Sequence, residues 1–255
     1  MSITLILATI QQARARIAGY VRHTPLLPAP SLRGDMPAQL RLKLENLQVT
    51  GSFKARGVFN TLLQLNTEER ARGVVTASGG NHGAALAYGA WRLGIPATIF
   101  LTAHASADRV ARVTMWGAQV RQHGDVWDDA HAAATEYAQT AGATYVHPFD
   151  ADRTVVGQGT LGLELLEDVP AIDCVLVAIG GGGLIAGMAL AMKETRPGIR
   201  IIGVEPVGSA AMRYALERGQ VAPLPEVRTI ADTLAPRAVS ERTLSLTQRY
   251  VDEIV

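Results

Sequence analysis

The segment CVLVAIGGGGLIAGMALAMKETRPGIRIIGVE, residues 174–205, alternates between two kinds of local structure. Its apolar run 174–179 predicts a buried strand, the four glycines predict a tight loop, and residues 184–195 predict a packed helix. Residues 199–204 predict a second strand. Strand, helix and strand in succession are typical of parallel sheets covered by helices on both faces, so the segment predicts an α/β fold in three αβα layers.

The same alternation precedes this segment. Short apolar runs predict strands at 74–78, 97–101, 119–122 and 144–147, with helices between them at 84–93, 107–116 and 128–140. These elements predict a small domain over residues 73–147. Residues 1–72 and 148–255 then form a discontinuous larger domain, and a ligand is expected in the cleft between the two.

Two features near the end of the chain bear on the larger domain. Residues 219–242 are rich in proline and predict a long irregular connection. Residues 250–255 are strand-like, and a last strand without a helix to cover it predicts that the C-terminal part of this domain is missing from the sequence.

Composition excludes several classes of protein. Of 255 residues, 48% are hydrophobic and 18% charged, which excludes a disordered chain. A net charge of +1 argues against nucleic acid or an anionic membrane as a partner. The single cysteine, Cys174, excludes an internal disulfide framework. The glycine run interrupts the longest uncharged stretch, 174–192, and no basic segment precedes the apolar N-terminus, so we expect a cytoplasmic protein without a membrane span.

The first chemical motif is TGSFKARG, residues 50–57, between a predicted strand at 40–44 and a predicted helix at 53–65. It places Lys54 near a helix N-terminus, where the helix dipole disfavours a cation and partial burial disfavours it further. Both effects favour the neutral amine that attacks carbonyl groups. The alternative is an ordinary exposed lysine near a helix cap.

The second motif is SGGNHG, residues 78–83, between a predicted strand and a helix. Backbone N–H groups at such a position bind anions, and Ser78, Asn81 and His82 add polar contacts. The alternative is plain capping and turn chemistry, which uses the same residue types.

The third motif is the glycine run Gly180, Gly181, Gly182 and Gly183, again at a strand-to-helix junction. Because it has no side chains, several amides can approach a phosphate closely. Gly181, Gly183 and Ala186 also fit G-x-G-x-x-A, with Glu205 ending the next strand. That fingerprint keeps a nicotinamide-dependent oxidoreductase as an alternative. A phosphate cradle, a neutral lysine and a polar loop together are what pyridoxal phosphate requires.

At this point the chain resembles the serine/threonine dehydratase group of fold-type II pyridoxal phosphate enzymes. Six motifs carry the resemblance in order: ENLQVTGSFKARG at 45–57, SGGNHG at 78–83, GQGT at 157–160, GGGGL at 180–184, VEP at 204–206 and TIAD at 229–232. The resemblance implies a two-domain fold with the small domain near residues 73–147, and a homodimer.

The resemblance also implies roles for individual residues. Lys54 would hold pyridoxal 5'-phosphate as an aldimine and act as the catalytic base, and Phe53 would pack beside the pyridine ring. Asn81 would bind the ring hydroxyl, and Gly180 to Gly183 would bind the phosphate. The substrate carboxylate would be held by Ser78, Asn81 and His82.

The implied activity is β-elimination from threonine, serine or another small β-hydroxy amino acid, giving a 2-oxo acid and ammonia. A related lyase or racemase of the same fold is an alternative, but Gly79 stands where racemases of this group carry a serine. A second alternative is an inactive truncated protein of this fold. Glu205 is a candidate ligand for a divalent metal, but Ala211 stands where its aspartate partner is expected, which argues against a metal.

Overall fold

The computed structural model describes residues 5–29 and 39–255, so the first four residues of the apolar N-terminus lie outside it. Within these residues the helices are α1 (Leu7–Ile17), α2 (Lys54–Leu62), α3 (Thr67–Arg72), α4 (Asn81–Leu93), α5 (Ala107–Thr114), α6 (Trp127–Ala141), α7 (Asp152–Asp168), α8 (Gly183–Thr195), α9 (Ala211–Arg218) and α10 (Glu241–Tyr250). The strands are β1 (Leu26–Pro28), β2 (Arg41–Lys43), β3 (Val74–Ala77), β4 (Ala97–Leu101), β5 (Gln119–Gln122), β6 (Thr144–Tyr145), β7 (Cys174–Ala178), β8 (Arg200–Val204) and β9 (Glu253–Ile254).

The predicted small sheet is present, with strand order β5-β4-β3-β6 and every pair parallel. Alternate residues of its buried central strands face two separate cores. Ile99 and Leu101 pack with Leu86 of α4, whereas Phe100 packs with Ala130 of α6 on the other face. Helices therefore cover both faces, as the alternation predicts.

The second sheet has the order β7-β8-β9, also parallel. Its strands alternate between buried and exposed residues instead of being buried throughout. Val175 and Val177 pack in a core with Met188 and Met192 of α8. Leu176, on the opposite face, is 59% exposed. The sequence predicts cover on both faces, but among the described residues the face with Leu176 is open.

Three helices cross at the centre of the larger part of the chain. A Cβ on Gly157 of α7 would lie 2.6 Å from the Cα of Gly57 of α2, and one on Gly159 would lie 2.8 Å from the carbonyl oxygen of Gly187 of α8. Only glycine permits helix axes to approach this closely. The GQGT motif thus fixes α2, which carries Lys54, against α7.

The end of the chain differs from its prediction. Residues 250–255 were expected to form a strand, but Tyr250 ends helix α10 and only Glu253–Ile254 pairs with β8. The helix forms because Ser240 caps it, accepting a hydrogen bond from the backbone N–H of Thr243, and because Leu244 and Thr247 recur on its buried face. The predicted irregular connection accordingly ends at Ser240.

No helix in the described ranges is long and apolar enough to cross a membrane.

Candidate active site

Lys54 is the first residue of α2, as predicted for a lysine near a helix N-terminus. Its Nζ donates a hydrogen bond to the carbonyl oxygen of Pro148 at 2.8 Å and lies 5.1 Å from the centre of the Phe53 ring. The residue as a whole is half-buried, but its amine lies deep enough that desolvation lowers its pKa from 10.5 to about 8. A substantial fraction of Lys54 is therefore the neutral, nucleophilic amine near physiological pH.

The other two lysines have different surroundings. The chain contains only Lys43, Lys54 and Lys193. Lys43 lies 2.6 Å from Glu164 and 2.7 Å from Asp168, and Lys193 lies 2.8 Å from Asp252. Lys54 is the one lysine without a carboxylate partner among residues 5–29 and 39–255. It is thus the amine best suited to attack a carbonyl group.

A buried ion-pair network fixes the helix that carries Lys54. Arg56 is 1% exposed, and its guanidinium contacts both oxygens of Glu45 at 2.7 and 2.8 Å and one oxygen of Glu164 at 2.7 Å. Burial alone would raise the pKa of Glu164, but hydrogen bonds and charges from Arg56 and Lys43 hold it below its usual range. A charge this deeply buried tolerates little displacement, so the first turn of α2 is held rigidly.

The loop 78–83 leads into α4, which begins at Asn81. The N–H of Gly80 donates to Ser78 Oγ at 3.3 Å, and a Cβ on Gly83 would overlap the carbonyl oxygen of Ser78. Glycine is therefore required for this turn. Asn81 Oδ1 accepts a hydrogen bond from Arg112 at 3.3 Å. Binding of a ligand hydroxyl by this amide would require it to leave Arg112.

His82 is 3% exposed and points away from the loop into the protein. Its Nε2 lies 2.9 Å from the carbonyl oxygen of Val146, so the network assigns the proton to Nε2 and makes it the donor. Burial, together with the charge of Lys54, lowers the pKa of His82 to about 3, so its ring is neutral. The His82 ring is therefore not available for the predicted contact with a substrate carboxylate. Only the main-chain N–H of His82 can make that contact.

The glycine run connects β7 to α8, with Gly182 at φ +85° as the residue before the helix. Its missing side chains leave room for neighbours. The Phe149 ring fills the Cβ position of Gly181, the Cα, Cβ and carbonyl oxygen of Phe149 crowd that of Gly183, and Met212 and Thr243 crowd that of Gly182. Within the described part of the chain, the backbone N–H groups of residues 180–183 donate to no acceptor. Unpaired N–H groups at the start of a 13-residue helix are suited to an anion.

Residues 146–149, which we call the bridging segment, join all three motifs, and sequence reasoning missed them. The Val146 carbonyl accepts from His82, the Pro148 carbonyl accepts from Lys54, and Phe149 packs on the glycine run. The Lys54 amine and the glycine run thus contact two consecutive residues, Pro148 and Phe149. The only sequence signal was the end of a predicted strand at 147.

Thr233 is a second residue without a predicted role. Its carbonyl oxygen would lie 3.6 Å from a Cβ on Gly180, and its methyl group would lie 3.9 Å from a Cβ on Gly80. The segment after TIAD therefore lies between the loop 78–83 and the glycine run. Asp232 beside it pairs with Arg109 of α5. This contact joins the two predicted domains.

Glu205, the candidate metal ligand, has another role. Its carboxylate accepts hydrogen bonds from the N–H groups of Met212 and Arg213 at 2.9 Å, which caps α9. The one group of three potential metal ligands found in the described ranges is His23, Glu164 and Asp168, away from Glu205. Lys43 already lies between two of those carboxylates.

These features define an α/β protein whose site suits an anionic carbonyl compound held through a lysine. The family model for pyridoxal-phosphate dependent enzymes matches residues 17–255. The chain therefore belongs to the pyridoxal-phosphate dependent enzyme family, and it has the architecture of the fold-type II members. This assignment favours pyridoxal phosphate over the nicotinamide cofactor that the glycine run alone left open.

Individual relatives point to the same group. L-threonine ammonia-lyase of Thermotoga maritima is 39% identical over 98% of this chain and 63% of its own length. Serine racemase of Oryza sativa subsp. indica is 41% identical over 97% of this chain and 73% of its own. A solved structure of maize serine racemase, 37% identical, superposes with a TM-score of 0.95 over 99% of this chain and 77% of that one. The chain spans 63% of the length of the threonine ammonia-lyase of Thermotoga maritima and 61% of that of Geobacter sulfurreducens.

The residues present fit this cofactor. Pyridoxal phosphate carries an aldehyde and a phosphate, which require an amine and a set of anion-binding donors. Among residues 5–29 and 39–255, Lys54 supplies a buried amine whose only acceptor is a carbonyl, and the glycine run supplies N–H groups without an acceptor. In the motif that carries Lys54, the buried hydroxyls of Thr50 and Ser52 have no hydrogen-bond partner in the described part of the chain, so the motif has polar groups free for a ligand.

Proposed function

We propose that the chain is a threonine/serine dehydratase. It eliminates the β-hydroxyl of a small β-hydroxy L-amino acid as water, and the product then takes up one water molecule and releases ammonia to give a 2-oxo acid. The observation that carries this proposal is the buried Lys54 amine. It has no carboxylate partner among the described residues, and it contacts Pro148 while the next residue, Phe149, packs on the glycine run. The threonine ammonia-lyase relatives support the choice of reaction.

Each residue has one task in this proposal. The Lys54 amine holds the cofactor and, once released, takes the proton from the substrate Cα as general base. Phe53, whose ring already lies beside Lys54 Nζ, packs against the cofactor ring. The N–H groups of Gly180 to Gly183 bind the phosphate. When bound, pyridoxal phosphate supplies the conjugated system that stabilises negative charge at Cα.

The loop 78–83 holds the substrate. Ser78 Oγ and the N–H groups at the start of α4, including that of His82, bind the carboxylate of the amino acid. Asn81 binds the ring hydroxyl of the cofactor after leaving Arg112. This places the Cα–H bond next to Lys54. With a pKa of about 8, part of the Lys54 population is the neutral amine near pH 7 and can accept that proton.

The experiment is borohydride reduction of the protein loaded with pyridoxal phosphate, followed by mass spectrometry of its peptides. Because the chain has three lysines, the site of a phosphopyridoxyl adduct is unambiguous. We expect the adduct on Lys54 and release of 2-oxobutanoate from threonine or pyruvate from serine. Lys54→Ala removes both, whereas Lys193→Ala, which removes a surface ion pair with Asp252, keeps both.

Other results would assign another function. An adduct on Lys54 without 2-oxo acid from either substrate would indicate an inactive protein of this fold. No adduct, together with binding of NADH, would indicate the oxidoreductase. A racemase is the second candidate, because serine racemases of Oryza sativa and maize are among the similar proteins.

Two further parts of the proposal concern assembly and location. We propose a small domain over residues 73–147, a larger one over 1–72 and 148–255, and a cytoplasmic homodimer. The separate sheets β5-β4-β3-β6 and β7-β8-β9 support the division. Sedimentation equilibrium tests the dimer: a mass near 27.1 kDa, that of one chain, would contradict it.

A further inference from the structure

The bridging segment contacts each of the three motifs once, through Val146, Pro148 and Phe149. Val146 continues from strand β6: its N–H donates to the carbonyl of Val75, and its carbonyl accepts from His82 Nε2. His147 Nδ1 accepts hydrogen bonds from the N–H groups of Phe149 and Asp150. The segment is thus tied at both ends, and among the described residues the His82 ring makes its one side-chain hydrogen bond with the loop 78–83.

The His82 ring cannot bind a substrate carboxylate. In the tautomer set by Val146, Nε2 carries the proton and Nδ1 is an acceptor. Nδ1 is buried and has no hydrogen-bond partner within residues 5–29 and 39–255. A carboxylate requires a donor, which this nitrogen is not. Lys54 and His147 are the titratable groups that act on the His82 ring, and both disfavour its protonation.

The position of the Pro148 carbonyl matters for Lys54. It is the only acceptor that the Lys54 amine has in the described part of the chain, at 2.8 Å. Two residues upstream, His82 holds the Val146 carbonyl, and Thr154 Oγ1 donates to the intervening His147 carbonyl at 3.1 Å. One residue downstream, Phe149 fills the space over Gly181 and Gly183. A shift of the segment would therefore displace the acceptor of Lys54 and the packing of the glycine run together.

We propose that His82 is a positioning residue for Lys54, whose Nε2–H anchors the Val146 carbonyl and so holds the Pro148 carbonyl against the Lys54 amine. Its side chain does not touch the substrate. The proposal rests on the proposed function for its catalytic consequence, but its effect on Lys54 is a property of the chain itself. The hydrogen bond at Val146 acts on Lys54 through the backbone of the bridging segment, because Pro148 follows Val146 by two residues.

The test compares three variants of the full chain. In His82→Gln the amide nitrogen reaches the place of Nε2 and can still donate to Val146. In His82→Asn it reaches only the place of Nδ1, and His82→Leu has no donor. Circular dichroism and thermal melts establish that each variant is folded. His82→Asn is the matched control for His82→Gln, because the two carry the same amide at different reach.

The first readout is competitive labelling of the three lysines in cofactor-free protein by limiting acetic anhydride from pH 7 to 11, with Lys193 as the internal reference. We expect His82→Asn and His82→Leu to raise the apparent pKa of Lys54 by about one pH unit towards its ordinary value, as the amine gains access to water. His82→Gln restores the wild-type value. An unchanged Lys54 pKa in folded His82→Asn and His82→Leu would overturn the proposal.

The second readout is kinetic. In the loaded enzyme, His82→Asn lowers kcat for threonine by about tenfold with KM changed less than about twofold, and His82→Gln recovers most of kcat. A rise in KM in all three variants, with the Lys54 pKa unchanged, would instead place the imidazole on the substrate carboxylate. The labelling does not depend on cofactor, so a missing phosphopyridoxyl adduct would refute the proposed function alone.

A third measurement uses no variant. The ¹⁵N chemical shifts of the His82 ring in the unmodified protein report its tautomer directly. We expect Nε2 protonated and Nδ1 bare from pH 5 to 8. A protonated Nδ1, or titration near pH 6.5, would contradict the role even if every variant failed to fold.

Discussion

Gly157 of α7 and Gly57 of α2 lie so close that a Cβ on Gly157 would be 2.6 Å from the Cα of Gly57 and 2.7 Å from the carbonyl oxygen of Arg56. Both contacts are to backbone, which cannot rotate away. This helix crossing therefore sets the distance between α7 and the turn that carries Lys54 and Arg56.

We expect Gly157→Ala to destabilise the protein by about 1–3 kcal/mol, because α2 and α7 must move apart to admit the methyl group. Urea denaturation followed by circular dichroism measures the change. Gly198→Ala is the control, since nothing lies within 4 Å of a Cβ on Gly198. Equal stability of the two variants would show that the helix crossing tolerates the methyl group.

The buried network around Arg56 yields a second prediction. In Glu164→Gln, Arg56 and Lys43 keep their charges but lose the carboxylate between them. Loss of one partner from a buried ion pair costs about 3–5 kcal/mol, and we expect the lower end here because Arg56 keeps Glu45 and Lys43 keeps Asp168. Glu167→Gln, which removes only the surface pair with Arg14, costs about 0–1 kcal/mol. A Glu164→Gln variant as stable as Glu167→Gln would mean that the network contributes no net stability.

Much of the fold could be predicted because its signals are local. Ala97–Leu101 and Gln119–Gln122 form strands with the predicted bounds, since each is a short run between glycine or proline and a following helix. Helix α7 received no prediction. Its glycines at 157, 159 and 162 lower helix propensity, and only the close approach of α2 and α8 explains them.

Part of the candidate site could likewise be predicted from the sequence, and part could not. Lys54 and the glycine run could be identified because each stands at a strand-to-helix junction with a recognisable motif. The bridging segment could not, since it acts through main-chain carbonyls, and Lys54 and Pro148 are 94 residues apart in sequence. The orientation of His82 could not be predicted from the motif either. The sequence does not show whether the ring of a histidine at the start of a helix faces the loop or the core.

A third prediction concerns stereochemistry. Racemisation requires a proton donor on the face of the substrate opposite Lys54, and Gly79 provides no side chain for it. A Cβ there would lie 3.2 Å from Leu101 and 3.3 Å from Arg109, so the space is already filled. We expect pyruvate from L-serine without D-serine in the remaining substrate, measured by chiral chromatography. D-serine formed as fast as pyruvate would show that another residue supplies the proton.

The last prediction concerns Lys54 and the pH dependence of stability. The pKa of Lys54 is lowered by desolvation to about 8, whereas in the unfolded chain it is near 10.5. Between these values the unfolded chain binds a proton that the native protein does not, so the free energy of unfolding contributed by Lys54 rises from pH 8 to pH 10.5. Below pH 8 the native protein carries the full cost of the buried ammonium.

Lys54→Met removes that cost while keeping an unbranched apolar side chain. In cofactor-free protein at pH 7 we expect a higher Tm, by about 2–4 °C for each kcal/mol gained, and a flatter stability curve from pH 8 to 10.5. Lys193→Met should give no gain, because its ammonium pairs with Asp252 at the surface. The comparison is made by thermal melts at pH 7, 8, 9 and 10. A lower Tm for Lys54→Met at pH 7 would mean that the native protein stabilises the Lys54 ammonium. The pKa of Lys54 would then not be lowered, and the argument that its neutral amine attacks a carbonyl group would fail.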